Sequence, residues 1–98
     1  MIIISLKNLK EKIAKRKDRI IKKEVRRLEK KAIREFRHAI NEYRTYCRIR
    51  IETKYYYYYD EIYEKLLEKL KASDKYKDLK FETKQDMTGT DYLLIELK

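Results

Sequence analysis

The chain has 98 residues, of which 45% are charged, and its 27 Lys and Arg against 17 Asp and Glu give a net charge of +10. Cys47 is the only cysteine, so a secreted scaffold stapled by disulfides is excluded. No apolar run approaches the ~18–20 residues of a membrane span, and Met1-Ile2-Ile3-Ile4 is too short for a secretory signal and has no charged segment before it; the expectation is a complete, cytoplasmic protein of one domain, residues 1–98.

In chain order, Ile2 to Ser5 suits a short strand. Asn8 with Glu11 three residues later fits a capping box, which starts a helix near residue 9, or else the helix begins nearer Ser5. A long helix is then predicted over about 8–45. Its apolar stripe is Leu9, Ile13, Ile20 or Ile21, Val25, Leu28, Ala32, Phe36, Ala39 and Tyr43. From Ile21 onward the repeat averages about 3.67 residues, too long for a heptad coiled coil. Lys15-Arg16-Lys17-Asp18 interrupts the stripe. A helix of ~36 residues is about 54 Å long, whereas a 100-residue domain has a radius of gyration of about 13 Å. The helix must therefore overhang its own domain, packing on a second copy, or break near residues 15–18.

A strand is predicted over 46–54, with Cys47, Ile49, Ile51 and Thr53 on one face and Arg48, Arg50, Glu52 and Lys54 on the other. Five tyrosines follow, Tyr55 to Tyr59. They enter a second helix over 56–72, whose stripe is Tyr55, Tyr59, Ile62, Leu66 and Leu70 and which Ser73-Asp74 closes. A hairpin over 78–97 completes the chain. Its first strand alternates Leu79, Phe81 and Thr83 with Lys80, Glu82 and Lys84. Its turn contains Thr88-Gly89-Thr90. Tyr92 to Leu97 is the most apolar strand and should be central. The fold class is α+β: a long N-terminal basic amphipathic helix, a second shorter helix and a small, mainly antiparallel sheet of three to four strands.

The charge is unevenly placed. Residues 1–50 carry 18 Lys and Arg against 6 Asp and Glu, a net of +12, and residues 51–98 carry 9 against 11, a net of −2. The basic face of the first helix is the leading functional feature, because a rigid row of cations suits phosphate binding. Its candidate contacts are Arg16, Arg19, Lys23, Arg26, Arg27, Lys30, Arg34 and Arg37. The well-oriented acid-before-base i,i+4 pairs are Glu11–Lys15 and Asp18–Lys22, and most of the arginines have no such partner, so a surplus of cations should remain. The bland alternative is a solvated face whose charges pair across an oligomer. Within the tyrosine run, Tyr55, Tyr58 and Tyr59 are expected to complete the core. Tyr56 and Tyr57 should stay exposed as interface residues, serving a protein contact more than base stacking because the surrounding sequence is nearly neutral. Asn41 and Arg44 are the other side chains able to reach bases.

No catalytic residue is assigned. His38 lies between Glu35 and Glu42 on the helix and reads as solvated or locally paired. His38 and Cys47 fall short of the about four ligands of a structural zinc, and no metal, cofactor, small-molecule substrate or membrane partner is expected. Ile51-Glu52-Thr53-Lys54 and Phe81-Glu82-Thr83-Lys84 echo each other. The E-x-K pair resembles one small part of the restriction-endonuclease motif, which also needs an aspartate from a neighbouring strand. Cross-strand ion pairs are the simpler reading.

Abundant Lys, Glu and Arg with one glutamine, Gln85, and two asparagines, Asn8 and Asn41, suit work at high temperature. This Tyr-, Lys- and Ile-rich composition resembles that of small proteins of viruses infecting hyperthermophilic archaea. The resemblance implies an origin in such a virus and the host cytoplasm as location; it implies no activity. The sequence therefore points to a non-enzymatic nucleic-acid-binding accessory protein acting as a homodimer on DNA or RNA. A protein–protein interaction module is the alternative, and a metal-dependent nuclease a remote one.

Overall fold

A computed structural model describes residues 6–98. Helix α1 (Leu6–Asn41) leads to strand β1 (Tyr46–Arg50), helix α2 (Tyr59–Ala72) and the hairpin strands β2 (Leu79–Gln85) and β3 (Asp91–Leu97). Short 3-10 turns at Tyr56–Tyr58 and Asp74–Tyr76 flank α2. The three strands are antiparallel in the order β1-β3-β2, so the most apolar strand is central as expected. The strand expected at Ile2–Ser5 lies outside the described residues.

The 36-residue helix α1 is continuous through residues 15–18. It contains no proline or glycine to break it. It is already helical at Leu6, so Asn8 is not its cap. Ile21, Val25, Leu28, Ala32, Ile33, Phe36 and Ala39 bury its apolar face. N-terminal to Lys17, which pairs with Glu61 of α2, the helix leaves Leu6, Leu9 and Ile13 77%, 43% and 55% exposed. The molecule measures 65 × 33 × 17 Å, with a radius of gyration of 17.0 Å, so the overhang is real.

The helix ends earlier than residue 45. The Tyr43 amide donates to the Ile40 carbonyl at 2.9 Å and the Arg44 amide to the Ala39 carbonyl at 2.9 Å. This is a Schellman turn with Tyr43 in the left-handed position, at φ 64°. The expected burial of Tyr43 fails for that reason: past the turn its ring leaves the stripe and is 97% exposed. A side chain costs about 1–2 kcal/mol in that conformation, and glycine avoids most of the cost. Tyr43→Gly should therefore raise stability by about 1 kcal/mol, or roughly 4–8 °C in melting temperature for a domain of this size. An unchanged or lower melting temperature would show that the ring contributes contacts of its own.

Side chains alternate across the sheet. Ile49, Phe81, Leu93 and Ile95 face the helices and are buried, with Ile49 paired to Leu93 and Phe81 to Ile95 in the strand register. Against them α2 packs Ile62, Tyr63, Leu66 and Leu70. Ile51 and Thr53 are buried as expected of their face. However, ladder pairing stops at Arg50, so the 51–55 segment is a loop and not the end of the predicted strand. Tyr55, Tyr58 and Tyr59 pack on the core. At the hairpin tip one carboxylate oxygen, Asp86 Oδ1, accepts from the Thr88 and Thr90 amides, each at 2.9 Å. Gly89 supplies the positive φ of 81° that closes the turn.

Candidate functional site

Arg16, Arg19, Lys23, Arg26, Lys30, Arg34 and Arg37 follow one another at helical spacings of three or four. At 3.6 residues per turn they form a single straight row about 32 Å long. The row lies opposite the buried line of Ile21, Ala32 and Ala39, and all seven side chains are exposed. Because the core fixes which side of α1 faces inward, it also fixes the row toward solvent. None of the acids of α1 (Glu11, Asp18, Glu24, Glu29, Glu35) shares this arc. Within α1 there are 15 Lys and Arg against these 5 acids, a net of +10, so the helix carries the whole net charge of the chain.

Ion pairing leaves the row untouched. Among the described residues none of the seven has an acidic partner within ion-pair distance. The expected Glu11–Lys15 and Asp18–Lys22 pairs do not form either. Two of the five acids are engaged elsewhere: Glu29 meets Lys69 of α2 at 2.8 Å, and Glu24 is buried under the 51–55 loop. Lys12 is also exposed and extends the row by one more turn. Its four-residue step to Arg16 is the signal that would have included it.

Arg27 stands apart from the other sequence candidates. Its guanidinium donates to both oxygens of Glu24, at 3.3 and 2.7 Å, and to the Glu52 carbonyl at 2.8 Å. The Glu24 carboxylate also accepts the Thr53 hydroxyl at 2.9 Å, and Thr53 Oγ1 in turn accepts the Tyr55 amide at 3.2 Å. Arg27 is thus part of a latch between α1 and the loop, and its guanidinium is already committed. The Arg27 guanidinium beside Glu24 holds that carboxyl below its usual value of 4.5, with help from Thr53 and against the opposing push of burial.

The tyrosine run sits against the same helix. Lys17 lies 5.8 Å from the centre of the Tyr58 ring and pairs with Glu61 at 2.6 Å. Lys54 lies 5.2 Å from the Tyr55 ring. Tyr56 and Tyr57 are 81% and 99% exposed. At the other end of the row, Lys30, Arg34 and Arg37 border a groove of about 840 Å³ that also reaches Cys47 and Tyr76. Burial pushes the Cys47 thiol up, which keeps it protonated and a poor nucleophile. His38 pairs with Glu42 at 3.4 Å, the local pairing its spacing implied.

The two E-x-K segments are not brought together as a site. Glu82 and Lys84 lie on the open face of the sheet, where Glu82 contacts Lys80 at 2.7 Å and Lys84 at 3.6 Å. Asp91, paired with Gln85 at the end of the ladder, has the parity of Leu93 and Ile95 and so belongs to the covered face. Glu52 and Lys54 are in the loop, with Glu52 3.9 Å from Arg50. Among the described residues no group of three His, Cys, Asp or Glu side chains is placed to hold a metal ion. No described helix is long and apolar enough to cross a membrane.

Comparison with known proteins gives no match to any family model, curated protein or solved structure.

Proposed function

We propose that the protein is a non-enzymatic nucleic-acid-binding protein that lays helix α1 along the sugar–phosphate backbone. The observation that carries this reading is the acid-free row of unpaired cations from Arg16 to Arg37, opposite the core face of a helix that holds the whole net charge. Contacts to phosphate position a protein without reading sequence, so the affinity should be largely sequence-independent. A titration against duplex DNA, single-stranded DNA and RNA tests it. On a duplex, each neutralised phosphate steepens the log–log salt slope by about 0.9, so seven contacts set a ceiling near 6. The expected result is a strong loss of affinity between about 50 and about 200 mM salt. Absence of binding at the lower salt would refute the proposal and favour an acidic protein partner.

Self-association belongs to the same reading, and Leu6, Leu9 and Ile13 supply apolar surface for it. Residues 6–20, however, contain seven Lys and Arg against Glu11 and Asp18, a net of +5. Two such overhangs repel unless counter-ions or a polyanion screen them. Sedimentation of the free protein should therefore show dimerisation increasing with salt, the opposite of the trend for nucleic-acid binding. A dimer that weakens as salt rises would place the contact elsewhere.

A further inference from the structure

We propose that Tyr56 and Tyr57 form a stacking platform for unpaired bases, which makes single-stranded nucleic acid the preferred ligand of the basic row; this rests on the nucleic-acid reading above. In sequence the tyrosine run has nearly balanced charge around it. In space it lies against α1. The latch of Glu24, Arg27 and Thr53 ties the 51–55 loop to the helix beside Lys23 and Arg26, and Tyr56 lines a groove of about 780 Å³ together with Arg27 and Lys54. Of the nearby carboxylates, Glu24, Glu52 and Glu61 are each already paired with a cation, and Asp60 is exposed without one among the described residues. Tyr56 thus borders the same groove as Arg27, which lies one helical step from Lys23 and Lys30 of the row, and Tyr57 follows Tyr56 on the same turn.

The rings are presented on a firm base. Tyr55, Tyr58 and Tyr59 pack against the core on either side of them, and the Tyr58 amide donates to the Tyr55 carbonyl at 3.0 Å, closing the turn. Exposed tyrosines on an ordered turn lose little freedom on binding, since each ring has only two side-chain torsions. Bases inside a duplex are already stacked and present only their edges, whereas a single strand offers its base faces to aromatic side chains. A cationic track flanked by aromatic rings is the arrangement that binds single strands with little sequence preference.

The test compares wild type with the double variant Tyr56→Ala, Tyr57→Ala on three fluorescent probes of equal length: a polythymidine strand, the same strand with abasic sites, and a duplex. Stacking is worth roughly 5- to 150-fold per base. Wild type should bind the thymidine strand at least about tenfold more tightly than the abasic strand. The double variant should lose that margin while keeping its affinity for the abasic strand and the duplex. Tyr56→Phe with Tyr57→Phe should restore binding, because stacking needs the ring and not the hydroxyl. Equal binding of the thymidine strand by wild type and the alanine variant would overturn the platform, and salt-sensitive duplex binding would then leave the phosphate-binding reading standing alone. Wild type that binds none of the probes would overturn both.

Discussion

Reversing three charges in the middle of the row, Arg26→Glu, Lys30→Glu and Arg34→Glu, should weaken nucleic-acid binding by about 100-fold or more at moderate salt. Non-specific complexes with micromolar to submillimolar dissociation constants have about 6–8 kcal/mol to share among their phosphate contacts. With seven contacts that is about 1 kcal/mol each, so losing three removes about two powers of ten, and the new carboxylates add repulsion. The salt slope should flatten by about 2–3, since three fewer counter-ions are released. All three side chains are exposed and free of ion pairs in the fold, and surface changes of this kind usually alter stability by less than about 0.5 kcal/mol each. The variant should therefore melt close to wild type. Arg27 is deliberately left in place, because changing it would disturb the latch and confuse a binding defect with a folding defect. A triple variant that folds and binds with unaltered affinity and slope would remove the row from the interface.

The second large effect concerns Glu24, which is 6% exposed. Replacing it with alanine strips the Arg27 guanidinium of its carboxylate partner and leaves the buried Thr53 hydroxyl without its acceptor. Hydrogen bonds to a charged group contribute about 1.5–3 kcal/mol. Arg27 is half exposed and regains water, which lowers the cost, so a loss of about 2 kcal/mol is expected. That corresponds to roughly 8–16 °C in melting temperature. Acid should act through the same residue. In the folded protein the carboxyl titrates below its usual value of 4.5, so the fold binds fewer protons there than the unfolded chain. The stability that Glu24 contributes is then complete above the unfolded value and lost as pH falls through the folded one. Glu24→Gln keeps an acceptor for Thr53 but cannot titrate, so its melting temperature should fall less steeply than that of wild type below about pH 4.5. Parallel curves would mean that the carboxylate is not what the latch depends on.

Local signals carried most of the architecture. Apolar periodicity identified both helices and the buried apolar set from Ile21 to Ala39 except Ile33, which flanks the stripe, and alternation identified β2, β3 and the face of Ile49, Ile51 and Thr53. Position in the chain was less informative than contacts between distant residues. Glu24 reads as one more charged residue on a charged helix; its burial depends on Thr53, 29 residues away, closing over it. Arg27 is set apart from its neighbours on the helix face by Glu24 three residues before it, a spacing visible in the sequence, and by the Glu52 carbonyl of the loop, which was not. Tyr43 fits the apolar repeat but lies beyond a helix stop set by backbone geometry, with no glycine or proline to announce it. Along the chain the tyrosine run shows nothing of Lys17 and Arg27, which border it from another element, each already paired with a carboxylate. The row itself was legible in full, apart from Lys12, because a helix keeps residues three and four apart on one face.

The most direct test of the central claim is to follow the arginine side-chain Nε–Hε signals by NMR while a single-stranded oligonucleotide is added to the intact protein. Shifts are expected at Arg16, Arg19, Arg26, Arg34 and Arg37, with Arg48 and Arg50 of the open sheet face unaffected. Shifts confined to Arg48 and Arg50, with the α1 signals unmoved, would contradict it and transfer the interface to the sheet.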